Sequence, residues 1–101
     1  MIGWDIMNIV YKWMSSKKPI QLVIKCRKEG DFSIVYGKTL EICYLNKTSG
    51  LVLSLCNGKN SIADIRNYML AHFEVEASEL EDDLVNIIRD LQWKQMVVLE
   101  E

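Results

Sequence analysis

The apolar residues of this 101-residue chain change their spacing twice, and the two changes set the order of its secondary structure. Over residues 1–16 they recur every three or four positions. Ile2, Ile6, Ile9, Val10 and Trp13 share one face and Asp5, Asn8 and Lys12 turn away, which predicts an amphipathic helix. Trp4, Met7, Tyr11 and Met14 widen the stripe beyond what one small core needs. The helix therefore suits either packing on its own domain or docking and dimerisation. Pro19 ends it, because proline disfavours helix at the residue before it and has no N–H to continue the ladder.

From residue 20 the period is two. Ile20, Leu22, Ile24 and Cys26 alternate with Gln21, Val23, Lys25 and Arg27 and predict a one-sided strand. Glu29-Gly30-Asp31-Phe32 reads as a tight turn with Gly30 supplying a positive φ. Phe32, Ile34 and Tyr36 mark a second strand, Gly37-Lys38 a second turn, and residues 39–45 a third strand, together an antiparallel meander. The third strand is apolar on both faces, Leu40, Ile42 and Tyr44 on one and Cys43 and Leu45 on the other. A strand covered on one side only does not need that pattern, so a partner on its second face is expected.

Beyond residue 45 the spacing is helical again, in three pieces. Asn46 is placed to cap the first, which Asn57-Gly58 stops with a left-handed residue. Ser61 and Asp64 have capping-box spacing ahead of a second helix, with Ile62, Ile65, Met69 and Phe73 as its buried stripe. Ser78 to Glu81 should cap a third, with Leu80, Leu84, Ile87, Ile88 and Leu91 on one face, and residues 96–99 a short last strand. The expected fold is α+β and winged helix-turn-helix-like, a three-stranded antiparallel meander followed by three helices with an extra N-terminal helix. The expected division is an amphipathic helix over 1–18 and one domain over 19–101.

Charge separates the halves. Residues 1–47 hold eight Lys/Arg against four Asp/Glu, residues 48–101 four against ten, and six acids fall within 74–83. That run reads as a solvated loop and helix start, or as repulsion of nucleic acid and attraction of a basic partner. The third helix would be the DNA reader of a winged-helix protein. It opens with Glu79, Glu81, Asp82 and Asp83 and shows only Arg89 and Lys94 as cations, so DNA binding is disfavoured. Three cysteines without a CxxC pair and no secretory signal point to reduced thiols in the cytoplasm. No apolar run reaches membrane-spanning length.

Catalytic motifs are missing: no GxSxG, P-loop, GxGxxG or HExxH. His72, the single histidine, follows a helical stripe and is expected to cap or to be half buried. Cys26, Cys43 and Cys56 alternate with or sit among apolar residues and read as small buried hydrophobes. Asp82-Asp83 point apart on a helix, so no metal or cofactor is expected and the chain is not read as an enzyme.

The stretch Tyr44-Leu45-Asn46-Lys47-Thr48-Ser49-Gly50, then Leu55-Cys56-Asn57-Gly58-Lys59-Asn60-Ser61-Ile62-Ala63-Asp64-Ile65, resembles the PqqD-like family, the RiPP recognition elements. The likeness continues through Glu81-Asp82-Asp83-Leu84-Val85 and Met96-Val97-Val98-Leu99, over roughly residues 20–99. The chain departs from the family pattern at Leu53, where an aromatic is common, and at Gln95-Met96-Val97, where Gly-Leu-Leu is usual. The resemblance implies a non-catalytic peptide-binding chaperone of PQQ-biosynthesis-like type. Such a domain holds the leader of a ribosomally made precursor by strand addition and delivers it to a modifying enzyme of the radical SAM class. Carried over, the peptide site is Leu40, Glu41, Ile42, Cys43, Tyr44 and Leu45 on the strand, with Asp83, Leu84, Ile87, Ile88 and Leu91 on the helix. Leu84, Ile88 and Leu91 are expected to serve the core first. The alternatives are a winged-helix DNA-binding regulator and a structural module that homodimerises through the N-terminal helix.

Overall fold

A computed structural model gives the structure of the protein and describes residues 9–38 and 42–100. Residues 9–14 are helical (α1) and are followed by β1 Lys18–Gln21, β2 Lys25–Glu29, β3 Phe32–Tyr36 and β4 Ile42–Leu45. Three helices come next, α2 Lys47–Leu55, α3 Ile62–His72 and α4 Ala77–Trp93, and β5 Val97–Glu100 closes the chain. The fold is α+β, with β2-β3-β4 as an antiparallel meander and β1 paired to β5 in a separate two-stranded sheet.

The strand expected over 20–27 is in fact two. Residues 18–21 pair with β5 in the register Ile20 to Val98, and residues 25–29 pair with β3 in the register Arg27 to Ile34. The chain breaks between them so that each half serves a different sheet, and Ile24 at the break is exposed. The alternating pattern ran through the break unchanged because both halves are extended. The first turn is as expected: Gly30 has φ +63° inside a two-residue loop that pairs Glu29 with Phe32. The second differs. Gly37 has no positive φ, and a Cβ there would meet the Met96 sulfur at 3.2 Å, so this glycine serves close packing. Residues 39–41, including Leu40 and Glu41, lie outside the described residues.

Caps explain the helix limits. Asn46 Oδ1 accepts the Ser49 N–H at 2.8 Å, and Ser61 and Asp64 form the reciprocal capping box. α2 ends at Leu55, with Cys56 as its cap and the left-handed Gly58 two residues further on. α4 begins at Ala77, earlier than expected. Glu76 is its cap residue without a side-chain cap bond, and Ser78 within the first turn donates instead to the Glu76 carboxylate at 2.7 Å.

The core lies between the inner face of the meander and the helices. It takes Val35, Cys43 and Leu45 from the sheet, Val52 and Leu53 from α2, Ile62, Ile65 and Met69 from α3, and Leu80, Leu84, Val85, Ile88 and Leu91 from α4. α1 joins it through Tyr11 and Met14, while Ile9 and Trp13 face solvent. The buried edge of this helix is therefore the Tyr11–Met14 side, at i and i+3. Phe73, expected in the buried stripe of α3, is its C-cap and is exposed.

Gly58 supplies a test of this frame. Its φ is +79°, its N–H donates to the Pro19 carbonyl at 2.9 Å, and a Cβ would stand 3.0 Å from Ile20 Cγ1. Gly58→Ala should lose about 1–2 kcal/mol from the left-handed backbone alone, with the Ile20 contact adding to it. Urea unfolding of the two proteins measures the loss, and a difference within error would contradict the close approach.

Candidate functional site

Among the described residues β4 bonds to β3 on one side and to no strand on the other. Register decides which of its groups face the open side. A two-residue loop makes Glu29 and Phe32 a pair that exchanges both backbone bonds, and such pairs alternate along an antiparallel ladder. Residues 32, 34 and 36 of β3 therefore bond toward β2, and residues 33 and 35 toward β4. The bonded pairs across β3 and β4 are Ser33 with Leu45 and Val35 with Cys43. The N–H and C=O groups of Ile42 and Tyr44 are left on the open edge.

The side chains of the same two residues project from the outer face of the sheet, Ile42 54% and Tyr44 68% exposed. Phe32 stands beside Tyr44, with ring centroids 6.4 Å apart. Cys43 and Leu45 point the other way and are buried. The second apolar face of this strand, expected to be covered, is thus open. The sheet's other edge is built differently. β2 reads Lys25-Cys26-Arg27-Lys28-Glu29, and its first four residues are exposed. Lysines on an edge are a common guard against strand pairing, and β4, with Ile42-Cys43-Tyr44-Leu45, carries none.

α4 forms the wall opposite that edge. Asp83, Asn86 and Ile87 meet Asn46, Thr48 and Ser49 around a small notch of about 320 Å³. At the far end Lys94 lies against Cys43 and donates to the Asp90 carboxylate at 2.9 Å. α4 therefore runs opposite to β4, and Asp83, Ile87, Asp90 and Lys94 follow one another along a single helix face. The Asp90 hydrogen bond holds the Lys94 ammonium above the ordinary lysine value, against the smaller opposing effect of burial.

Asp83 and Ile87 line the notch, while Ile42 and Tyr44 stand on the outer face of the sheet and line neither cavity. Leu84, Ile88 and Leu91 are at most 1% exposed and support α4 from the core. Asn46, Thr48, Ser49, Asn86, Asp90 and Lys94 were not foreseen. The four-, three- and four-residue steps from Asp83 through Ile87 and Asp90 to Lys94 carried a signal for the last two. The first turn of α2 reaches the notch only through tertiary packing. A larger cleft of about 890 Å³ lies on the other flank of α2, between the β2–β3 hairpin and the end of α3. Phe32, Phe73 and the stacked pair Tyr68–His72 border it, which accounts for the exposure of Phe73.

Among the described residues no three His, Cys, Asp or Glu side chains are placed to hold a metal ion. His72 is exposed, with Nδ1 2.8 Å from the Tyr68 carbonyl oxygen. All three cysteines are free; Cys43 and Cys56 are buried, but Cys26 is exposed, contrary to expectation, because it lies on the uncovered edge strand. The Cys56 Sγ donates to the Val52 carbonyl at 3.1 Å, and burial pushes its thiol up to about 12. No described helix is long and apolar enough to cross a membrane.

The described residues form a meander whose β4 edge is unpaired beside α4, and none of them gather into a metal-holding cluster. The model of the family described as coenzyme PQQ synthesis protein D (PqqD) matches residues 34–97, more than half of the chain, and the protein belongs to that family. Members of the family are non-catalytic accessory proteins. No curated protein and no solved structure matches the chain.

The thiols supply a second test. Cys56 titrates from 9.0 in the unfolded chain and about 12 in the folded one, so the unfolded chain gives up its proton first as pH rises. Stability is then full below pH 9 and falls across the window up to about 12. From about pH 8 to about pH 10.5 the expected loss is roughly 2 kcal/mol. Tyr11, whose hydroxyl is raised mainly by burial, adds with the same sign. Cys56→Ser should flatten the dependence in urea unfolding, and an unchanged slope would contradict the assignment.

Proposed function

We propose that the protein binds the leader segment of a ribosomally made precursor peptide, which adds as a strand to β4 and lies against α4. It thereby presents the precursor to a modifying enzyme, of the radical SAM class by family likeness, in the cytoplasm. The observation that carries this reading is the open, uncharged edge of β4. Two N–H and two C=O groups, on Ile42 and Tyr44, are free to bond an incoming chain. Each such bond is worth about 0.5–1.5 kcal/mol net, and burying the apolar surface of Ile42, Tyr44 and Ile87 adds to it. The exposed Ile9 and Trp13 side of α1 is the surface on which the enzyme or a second copy would dock.

DNA binding finds less support. The wall helix exposes Asp83 and Asp90, and Lys94 is already paired with Asp90. Phosphate contacts need free cations.

Proline separates the two sides of β4. Tyr44→Pro removes an outward donor, which an edge tolerates, whereas Cys43→Pro removes a donor to β3. The test uses peptides enriched on the wild-type protein from a display library of linear peptides about twelve residues long. Tyr44→Pro should melt close to wild type and lose at least about tenfold in affinity, or 1.4 kcal/mol. Cys43→Pro should lose stability. If Tyr44→Pro folds normally and binds those peptides as wild type does, strand addition at this edge is wrong.

A further inference from the structure

We infer that the segment taken up by the β4 groove is basic, an extended peptide carrying Lys or Arg beside its apolar residues. This rests on the strand-addition reading and goes beyond it by naming the chemistry of the ligand. The groove is the open edge of β4; the charges around it decide what enters.

Its wall presents Asp83, Ile87 and Asp90 in one stripe, with Lys94 as the cation at its end. Lys94 is spent on Asp90 at 2.9 Å, and Asp83 makes no hydrogen bond or ion pair among the described residues; Lys47, the cation of the first turn of α2, lines the larger cleft together with Asp83 without pairing to it. Glu79 and Asp82 add negative charge from the first turns of α4. The N-terminus of α2 borders the notch and is partly positive, but its Ser49 N–H is already held by Asn46. A peptide that pairs with Ile42 and Tyr44 and reaches past Leu45 would come to the notch where Asp83 and Ile87 meet Asn46. An acidic leader would bring a second carboxylate there, and a basic one an attractive partner.

A second observation points the same way. The sheet has two edges without a strand partner among the described residues: β4 carries no charge and stands beside the acidic α4, whereas β2 is basic. β2 offers Lys25, Arg27 and Lys28 against Glu29, and Arg27 is paired with Glu29. A basic strand is repelled from β2 and attracted to β4, so the protein has one edge for it rather than two. An acidic strand would be drawn to the wrong one.

The experiment pans linear peptides about twelve residues long against the intact protein and measures affinity for the enriched sequences. Lys and Arg should exceed Asp and Glu among them, and affinity should fall as salt is raised. Asp83→Lys should weaken binding roughly three- to tenfold. Glu100→Lys changes the net charge equally but sits at the end of β5, outside both cavities, and should leave affinity unchanged. Enrichment of neutral or acidic peptides that still lose binding in Tyr44→Pro would overturn this inference while leaving strand addition in place. Equal weakening by both lysine variants would also overturn it, since whole-protein charge would then suffice. No enrichment would remove the strand-addition reading and this one together. Self-association that Tyr44→Pro abolishes would mean that the basic β2 of a second copy, and not a leader, occupies the edge.

Discussion

Residues 15–22 hold the fold together through backbone bonds to three separate parts of the chain. The Ser15 and Lys17 carbonyls accept from Ala63 and Ile62 at the start of α3, and the Pro19 carbonyl accepts from Gly58. Gln21 and Leu22 donate to the Cys56 and Met96 carbonyls, and residues 18–21 form the ladder with β5. An extended segment can make this many connections because it bonds on both sides. Ile20 does so literally, facing Val98 across the ladder and Asn57 across an isolated bridge. Helix start, helix end, terminal strand and α1 are thereby fixed relative to one another before any side chain is considered.

The open edge of β4 follows from that arrangement. Among the described residues β5 is the one strand after the meander, and β1 occupies it. The break at residues 22–24 sends β1 to β5 and β2 to β3, and no described strand is left to pair with β4. α4 stands beside that side without pairing to it, because a helix has no spare backbone groups to offer a strand. An edge next to a helix wall accepts one extended chain more readily than a second sheet.

The meander, the order of the helices, the caps at Asn46 and Ser61 and the turn at Gly30 were legible because each depends on a few neighbouring residues. Two features were not. The break in the first strand leaves the alternation of Ile20, Leu22, Ile24 and Cys26 intact, and only pairing partners distant in sequence reveal it. The exposure of Cys26 follows from the same cause. At the site, the two-sided apolar character of Ile42 to Leu45 was visible, but whether its outer face was covered depended on which elements pack on that side of the sheet, and the described helices pack on the other. Leu84, Ile88 and Leu91 show the converse: helical spacing placed them correctly on one face of α4, and that face turned out to be the core.

α4 shows how one helix can meet three demands at once. Leu80, Leu84, Ile88 and Leu91 give it to the core, and Glu81 bonds Arg66 of α3 at 2.6 Å in a half-buried ion pair. Asp83, Ile87 and Asp90 are left for the groove. These stripes lie side by side around the helix, so a change in its rotation would disturb all three together. The ion pair at Arg66 and Glu81 lies beside Tyr11, whose hydroxyl feels both charges. The face of α4 that carries Asp83 and Ile87 is thus set by groups on its other faces, the core leucines and the Arg66–Glu81 pair.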